Sequence, residues 1–210
     1  MKNFDLVIFD CDGVLVDSKE ANYRYYNDIL VKLGLGSINK DELDYVHTHT
    51  AEQSILYLFR NNKELYNNAL ELIKKLDYLD YLPFLKIEPD VVEILKDIRP
   101  PVLTAIFTNR TTTMPKLVKM FGFDRLFDSI MTALDVDFPK PHPQGILKII
   151  DKLGIEHKKT VFVGDSILDE QAARDAGISF IAYKNEKLEA MFHVKHFYEI
   201  KKIVLSKNSP

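Results

Sequence analysis

The sequence predicts an α/β fold, a parallel β-sheet with helices on both faces, interrupted after its first strand by a helical insert. Three observations carry this. Residues 6–9 (LVIF), 102–107 (VLTAIF) and 161–163 (VFV) are short, continuous apolar runs, the pattern of strands covered on both faces and not of half-exposed strands, which alternate. Segments with helical spacing lie between and after these runs, and strands alternating with helices imply a parallel sheet. Residues 17–88, rich in Leu, Tyr, Asn and Lys, show helical periodicity alone.

Taken along the chain, residues 6–9 form the first strand. The insert follows, with Leu65, Ala69, Leu72, Ile73 and Leu76 on one helical face, and it closes at Pro83 and Pro89. Val91, Ile94, Leu95 and Ile98 mark a helix before the strand at 102–107. The next helix begins within Thr111, Thr112 and Thr113, with Pro115 early in it. Ile146, Leu147, Ile149, Ile150 and Leu153 define a further helix that Gly154 stops. After the strand at 161–163 comes a helix carrying Ala172, Ala173 and Ala176, with Gly177 as its stop. Residues 207–210 read as a frayed tail. The expected division is a discontinuous sheet domain, 1–16 and 88–210, and a helical domain, 17–87.

At 210 residues the chain has room for one substantial core and one smaller domain. Hydrophobic residues at 46% and charged residues at 28% fit an ordinary soluble globular protein. A formal net charge of -3 lacks the basic excess that a phosphate-backbone binder needs, so no nucleic-acid partner is expected. The lysines between 195 and 202 read as solvated surface. Cys11 is the sole cysteine, which excludes an internal disulfide and zinc-finger spacing and suits a reducing compartment. No run approaches the roughly 18 apolar residues of a membrane span, and no export signal is evident. These features predict a cytoplasmic protein without membrane contacts, a monomer or small homo-oligomer.

Each apolar run ends in polar residues: Asp10-Cys11-Asp12-Gly13, Thr108-Asn109-Arg110 and Gly164-Asp165-Ser166. Ligands of open α/β sheets bind at the carboxyl ends of the strands. Any one tip is also ordinary turn and N-cap chemistry, so the argument rests on all three at one edge. Residues two apart on a strand share a face, which puts Asp10 beside Asp12 and turns Cys11 away as filler. Two carboxylates about 4 Å apart repel by roughly 4 kcal/mol at an effective dielectric of about 20, which calls for a cation or a shared proton. Asp165 adds to that repulsion. Oxygen-only donors suit Mg2+ over zinc. A cation beside helix N-termini can hold a phosphate dianion, and Thr108 and Asn109 supply neutral donors there. Lys140, in Pro139-Lys140-Pro141-His142-Pro143, is either a phosphate ligand aimed by rigid backbone or a surface lysine. Asp169, one turn beyond Asp165, either faces the same edge or complements the helix dipole.

These residues resemble the haloacid dehalogenase-like (HAD) superfamily, in its branch related to phosphoglycolate phosphatase and β-phosphoglucomutase. Asp10-Cys11-Asp12-Gly13-Val14-Leu15-Val16-Asp17-Ser18 resembles its first motif, Thr108 its second, Lys140 its third, and Gly164-Asp165-Ser166 through Asp169 to Ala176-Gly177 its fourth. The resemblance spans the chain. It implies a Rossmann-like core with an inserted helical cap that closes over the substrate. It implies Asp10 as the nucleophile forming an aspartyl-phosphate and Asp12 as the general acid that then activates water. Mg2+ would be held by the Asp10 side chain, the Asp12 backbone carbonyl and Asp165, with Asp169 supporting it. Thr108 and Lys140, assisted by Asn109, would bind the phosphoryl oxygens. The implied activity is Mg2+-dependent hydrolysis of a small organic phosphate monoester, such as phosphoglycolate, a sugar phosphate or a nucleotide. A phosphomutase shares every core residue and is the alternative, ahead of a non-enzymatic protein of the same fold. A dehalogenase has no use for Asp12 or Asp165. In the insert, His47 and His49 lie near where related proteins carry a specificity loop, and are either substrate contacts or loop residues. Tyr23, Tyr25, Tyr26 and Tyr57 read as packing, and Arg24 and Arg60 as solvated charge or contacts to an anionic group.

Overall fold

The computed structural model describes residues 4–205, so the tail expected at 207–210 lies outside the described residues. The chain divides into two compact units, Met1–Val16 with Ile87–Pro210, and Asp17–Lys86.

In the first unit the strands are β1 (Leu6–Phe9), β4 (Leu103–Phe107), β5 (Ser129–Met131), β6 (Thr160–Gly164), β7 (Ser179–Tyr183) and β8 (Phe192–Val194). They form a parallel sheet in the order β5-β4-β1-β6-β7-β8. The three strands expected from the apolar runs are the adjacent central trio, and β1 and β6 are buried along their whole length. Edge strands β5 and β8, three residues each, are too short to show a pattern in sequence. The chain builds the sheet outward from β1 in one direction and then returns to build the other side. The point where the order reverses is therefore the tip of β1, between β4 and β6.

Helices cover both faces. Leu6 and Ile8 point into a cluster with Ile146, Ile149 and Ile150 of α7 (Gln144–Leu153) and Ala172 and Ala173 of α8 (Ile167–Asp175). On the other face Phe9 stacks on Phe197 of α9 (Phe197–Leu205), with ring centroids 5.7 Å apart, and α5 (Val91–Ile98) packs beside α9. Its four predicted apolar positions are the four that are buried. Gly154 ends α7 with φ +66°, and α6 (Met114–Met120) starts after Thr113 with Pro115 in its first turn.

The second unit is helical: α1 (Lys19–Lys32), α2 (Lys40–Thr48), α3 (Ala51–Leu58), α4 (Lys63–Ile73) and a 3-10 segment, Tyr78–Phe84. Asn39, Thr50 and Asn62 accept backbone N–H groups at the starts of α2, α3 and α4. Helix α4 stops at Ile73, so Leu76 lies beyond the helical face expected for it. Tyr25 packs edge-on to Tyr26, Tyr78 and Tyr81. Tyr57 stacks on Tyr45 at 3.8 Å, while Tyr23 is exposed. Arg24 pairs with Glu20 and covers the Phe84 ring, and Arg60 covers the Tyr57 ring. The chain enters and leaves this unit through two short strands, β2 (Val16–Asp17) and β3 (Lys86–Ile87), which pair with each other.

Candidate active site

The sheet's own hydrogen bonding fixes the first and second tips. Past the end of β1, Asp10 N–H donates to the Val163 carbonyl (2.9 Å), and past β4, Thr108 N–H donates to the Met131 carbonyl (3.0 Å). Asp10 continues the alternation of Leu6 and Ile8, whose side chains face α7 and α8. Its carboxylate meets what comes before one of those helices and from the start of the other. Lys140 Nζ lies 2.7 Å from Asp10 Oδ1 and 2.7 Å from Asp169 Oδ1. Cys11 N–H donates to the same Asp10 oxygen at 2.6 Å, and neither contact falls on Oδ2.

Asp10, Asp165 and Asp169 each place a carboxylate oxygen within 4.8 Å of the others. Two glycines permit this. At Gly13 (φ +79°) a Cβ would sit 2.1 Å from Asp165 Oδ2, and at Gly164 one would sit 2.3 Å from Asp169 Cβ. Asp169 answers both sequence readings at once. With Ser166 it forms the capping box of α8, its Oδ2 accepting from Ser166 N (3.0 Å) and Ser166 Oγ (2.6 Å), and its Oδ1 takes Lys140.

Lys140 is 2% exposed, which excludes the surface-lysine reading. Its ammonium lies 5.7 Å from the ring centres of Phe107 and Phe162. Burial works against its charge, but Asp10 and Asp169 outweigh that and hold its proton more firmly than water would. Burial pushes Asp10 up to about 7 against the counteracting Lys140, with Asp169 and Asp12 adding to the rise. Burial, then Asp169 and Asp10, raise Asp165 well above the usual carboxylate range.

Asn109 does something that its place in the sequence does not reveal. Its Oδ1 accepts from Lys140 N (3.0 Å) and its Nδ2 donates to the Lys140 carbonyl (3.2 Å). Its side chain thus clamps the lysine's backbone. Asp12 lies near enough for its charge to raise the Asp10 pKa, but its carboxylate does not belong to the cluster of three; Oδ1 accepts from Arg110 Nη2 at 2.6 Å. Just past it the chain turns at Gly13, with Leu15 N–H and Val16 N–H both donating to the Cys11 carbonyl. Cys11 is fully buried and burial raises its thiol pKa, as filler requires. Arg110 was missed as a functional residue. The signal for it is the parallel register that sets Phe9 opposite Ile106, which carries residue 12 toward residues 109 and 110.

His47 and His49 lie in the helical unit, and the structure separates them. His49 stacks on Tyr45 (3.7 Å), and its Nδ1 bonds the Tyr45 carbonyl at the end of α2; burial lowers its pKa. His47 instead reaches α1, where Asn22 Nδ2 lies 3.1 Å from its Nδ1 and Tyr78 donates to Asn22 Oδ1 at 2.6 Å.

The donor set of the cluster is carboxylate oxygen only, which fits a hard divalent cation such as Mg2+. With both Asp169 oxygens already engaged by Lys140 and Ser166, Asp10 and Asp165 would hold it.

Acidic and lysine side chains thus gather at the switch point of a parallel sheet, where ligands of such sheets bind. The chain matches the haloacid dehalogenase-like hydrolase family over residues 7–183, and it belongs to that family. A solved HAD-superfamily hydrolase of subfamily IA, variant 1, from Geobacter sulfurreducens is 32% identical, covers 96% of each chain and superposes with a TM-score of 0.80. A phosphoglycolate phosphatase of Agrobacterium fabrum is 29% identical over 84% of this chain and 78% of that protein. The pyrophosphatase PpaX of Bacillus pumilus is 27% identical over 94% of this chain and 92% of that protein. Among the described residues no helix is long and apolar enough to cross a membrane.

Proposed function

We propose that this chain is a Mg2+-dependent phosphatase that releases phosphate from a small organic phosphate ester through an aspartyl-phosphate on Asp10. The observation that carries this reading is the convergence of Asp10, Asp165 and Asp169 within 4.8 Å, with the buried Lys140 bridging Asp10 and Asp169.

An oxygen of the Asp10 carboxylate attacks phosphorus, and the bond to the ester oxygen breaks. Asp12 gives its proton to the departing alkoxide. It then takes a proton from water, which attacks the phosphoaspartate, frees inorganic phosphate and restores the Asp10 carboxylate. Lys140, clamped by Asn109, stands beside the attacking carboxylate and with Thr108 receives the phosphoryl oxygens. When bound through Asp10, Asp165 and the Asp12 backbone carbonyl, Mg2+ supplies the positive charge that lets a carboxylate approach a phosphate dianion. The helical unit, Asp17–Lys86, serves as the substrate-selecting cap, with His47 and His49 as its candidate substrate contacts.

The test is a phosphate-release screen with phosphoglycolate, sugar phosphates and nucleotides, run with Mg2+, with EDTA and with Asp10→Asn. Inorganic pyrophosphate belongs in the panel because relatives bear the name pyrophosphatase. Release should need Mg2+ and vanish in the variant; release surviving either change overturns the assignment.

A further inference from the structure

We propose that Arg110 is a positioning residue that keeps the Asp12 carboxylate out of the Asp10, Asp165 and Asp169 cluster, so that Asp12 carries protons instead of ligating the ion. The proposal rests on the reading of Asp12 as the acid and base. Four carboxylates crowd this strand edge, and three of them converge. The fourth, two residues from Asp10, would be drawn to a divalent ion by the same attraction that holds its neighbours. What opposes that draw is a guanidinium with a 7% exposed side chain, bonded to Asp12 Oδ1 at 2.6 Å.

Arg110 is anchored at three points that do not involve Asp12. Its N–H donates to Thr108 Oγ1 (3.1 Å), its carbonyl accepts from Ala133 N–H (3.0 Å), and Nη1 donates to Thr113 Oγ1 (3.2 Å). Two of these hold the Arg110 backbone and the third holds its guanidinium beside Asp12. One prong of the planar fork grips Thr113 and the other grips Asp12, an arrangement that a lysine's single ammonium does not reproduce. Lys140 cannot take this role, since it is occupied between Asp10 and Asp169.

The experiment combines two readouts on Arg110→Gln, Asp12→Asn and the double variant. Turnover, taken as the single-turnover rate of leaving-group release so that the later water step shared by all esters is not counted, is compared for an alkyl phosphate and for 4-nitrophenyl phosphate, whose leaving group needs no proton. Mg2+ affinity is measured by calorimetry without substrate. In Arg110→Gln, alkyl turnover should fall about thirtyfold and aryl turnover less than about threefold, a part of what general acid catalysis contributes. Mg2+ should bind several-fold tighter when Asp12 is present and show no such gain in the Asp12→Asn background. Equal losses on both esters overturn the proposal, as does tightening that is independent of Asp12, which would be a bare charge effect. If Asp12→Asn itself hurts both esters equally, the acid role of Asp12 falls and this proposal with it. If Asp12→Asn discriminates while Arg110→Gln does not, the Arg110 proposal alone falls. Arg110→Lys, which keeps the charge and loses the two-pronged grip, should follow the same pattern at smaller amplitude even if the glutamine variant fails to fold, and wild-type behaviour in it overturns the proposal.

Discussion

In the helical unit Asn39, Thr50 and Asn62 turn their side chains to helix starts, where backbone N–H groups would otherwise go unanswered. At the strand tips Asp10 and Asp165 are carboxylates that burial pushes toward their neutral forms. Both sets are polar. The first lowers the free energy of folding by about 1 kcal/mol per cap, whereas the second is retained at a cost in desolvation and mutual repulsion that Lys140 only partly offsets. Polar residues that stabilise their surroundings mark architecture, and polar residues that strain them mark chemistry.

That contrast can be broken at several points. On rate, Asp12→Ala should slow leaving-group release from alkyl phosphates by about a hundredfold or more and from aryl phosphates far less; matched losses, read from single-turnover rates on both, remove Asp12 as the acid of that step. Asp169→Ala should destabilise the protein by about 3–5 kcal/mol in urea unfolding, because it strips a buried ammonium of one of its two carboxylates and uncaps α8. Asp10→Asn sharpens the comparison through pH, measured in EDTA. Asp10 rises from an ordinary 3.8 to about 7 on folding, so the folded state binds the proton more tightly across that interval. Wild-type stability should fall as pH climbs from about 4 through about 7 and then level. The variant carries no such proton, so the margin between its melting temperature and that of wild type should shift in the variant's favour as pH climbs from about 4 to about 7, on top of a pH-independent loss from leaving Lys140 with one carboxylate. A margin constant with pH contradicts the assigned burial cost. Asn39→Ala is the counterpart from the other region: about 1 kcal/mol of stability lost and phosphate release unchanged.

Much of the sheet was legible because β1, β4 and β6 are covered on both faces and write themselves as unbroken apolar runs. The strand β7 carries the same signal from Phe180 to Tyr183 and was readable by the same rule. Edge strands β5 and β8 were not, since three residues hold no period. At the site, Asp10, Asp12 and Asp165 stood out as polar breaks at strand ends, whereas Lys140 showed only as a lysine among prolines and Asp169 as an acid in a first helical turn until the family resemblance joined them to the rest. What sequence withheld was pairing across long separations. Arg110 reaches Asp12 over 98 residues and Asn109 clamps Lys140 over 31, and a polar residue in a loop reads as solvated until its partner is known.

The strands β2 and β3, which lead into and out of the helical unit, pair side by side. Neighbouring strands run about 4.8 Å apart, so the sheet meets those helices as it would meet the base of a hairpin. Lengthening, trimming or exchanging the helical stretch leaves that narrow gate the same width, and loop closure grows costly only slowly with length. Changes of length in the helical stretch therefore need not disturb the register of the strands on the other side of that gate.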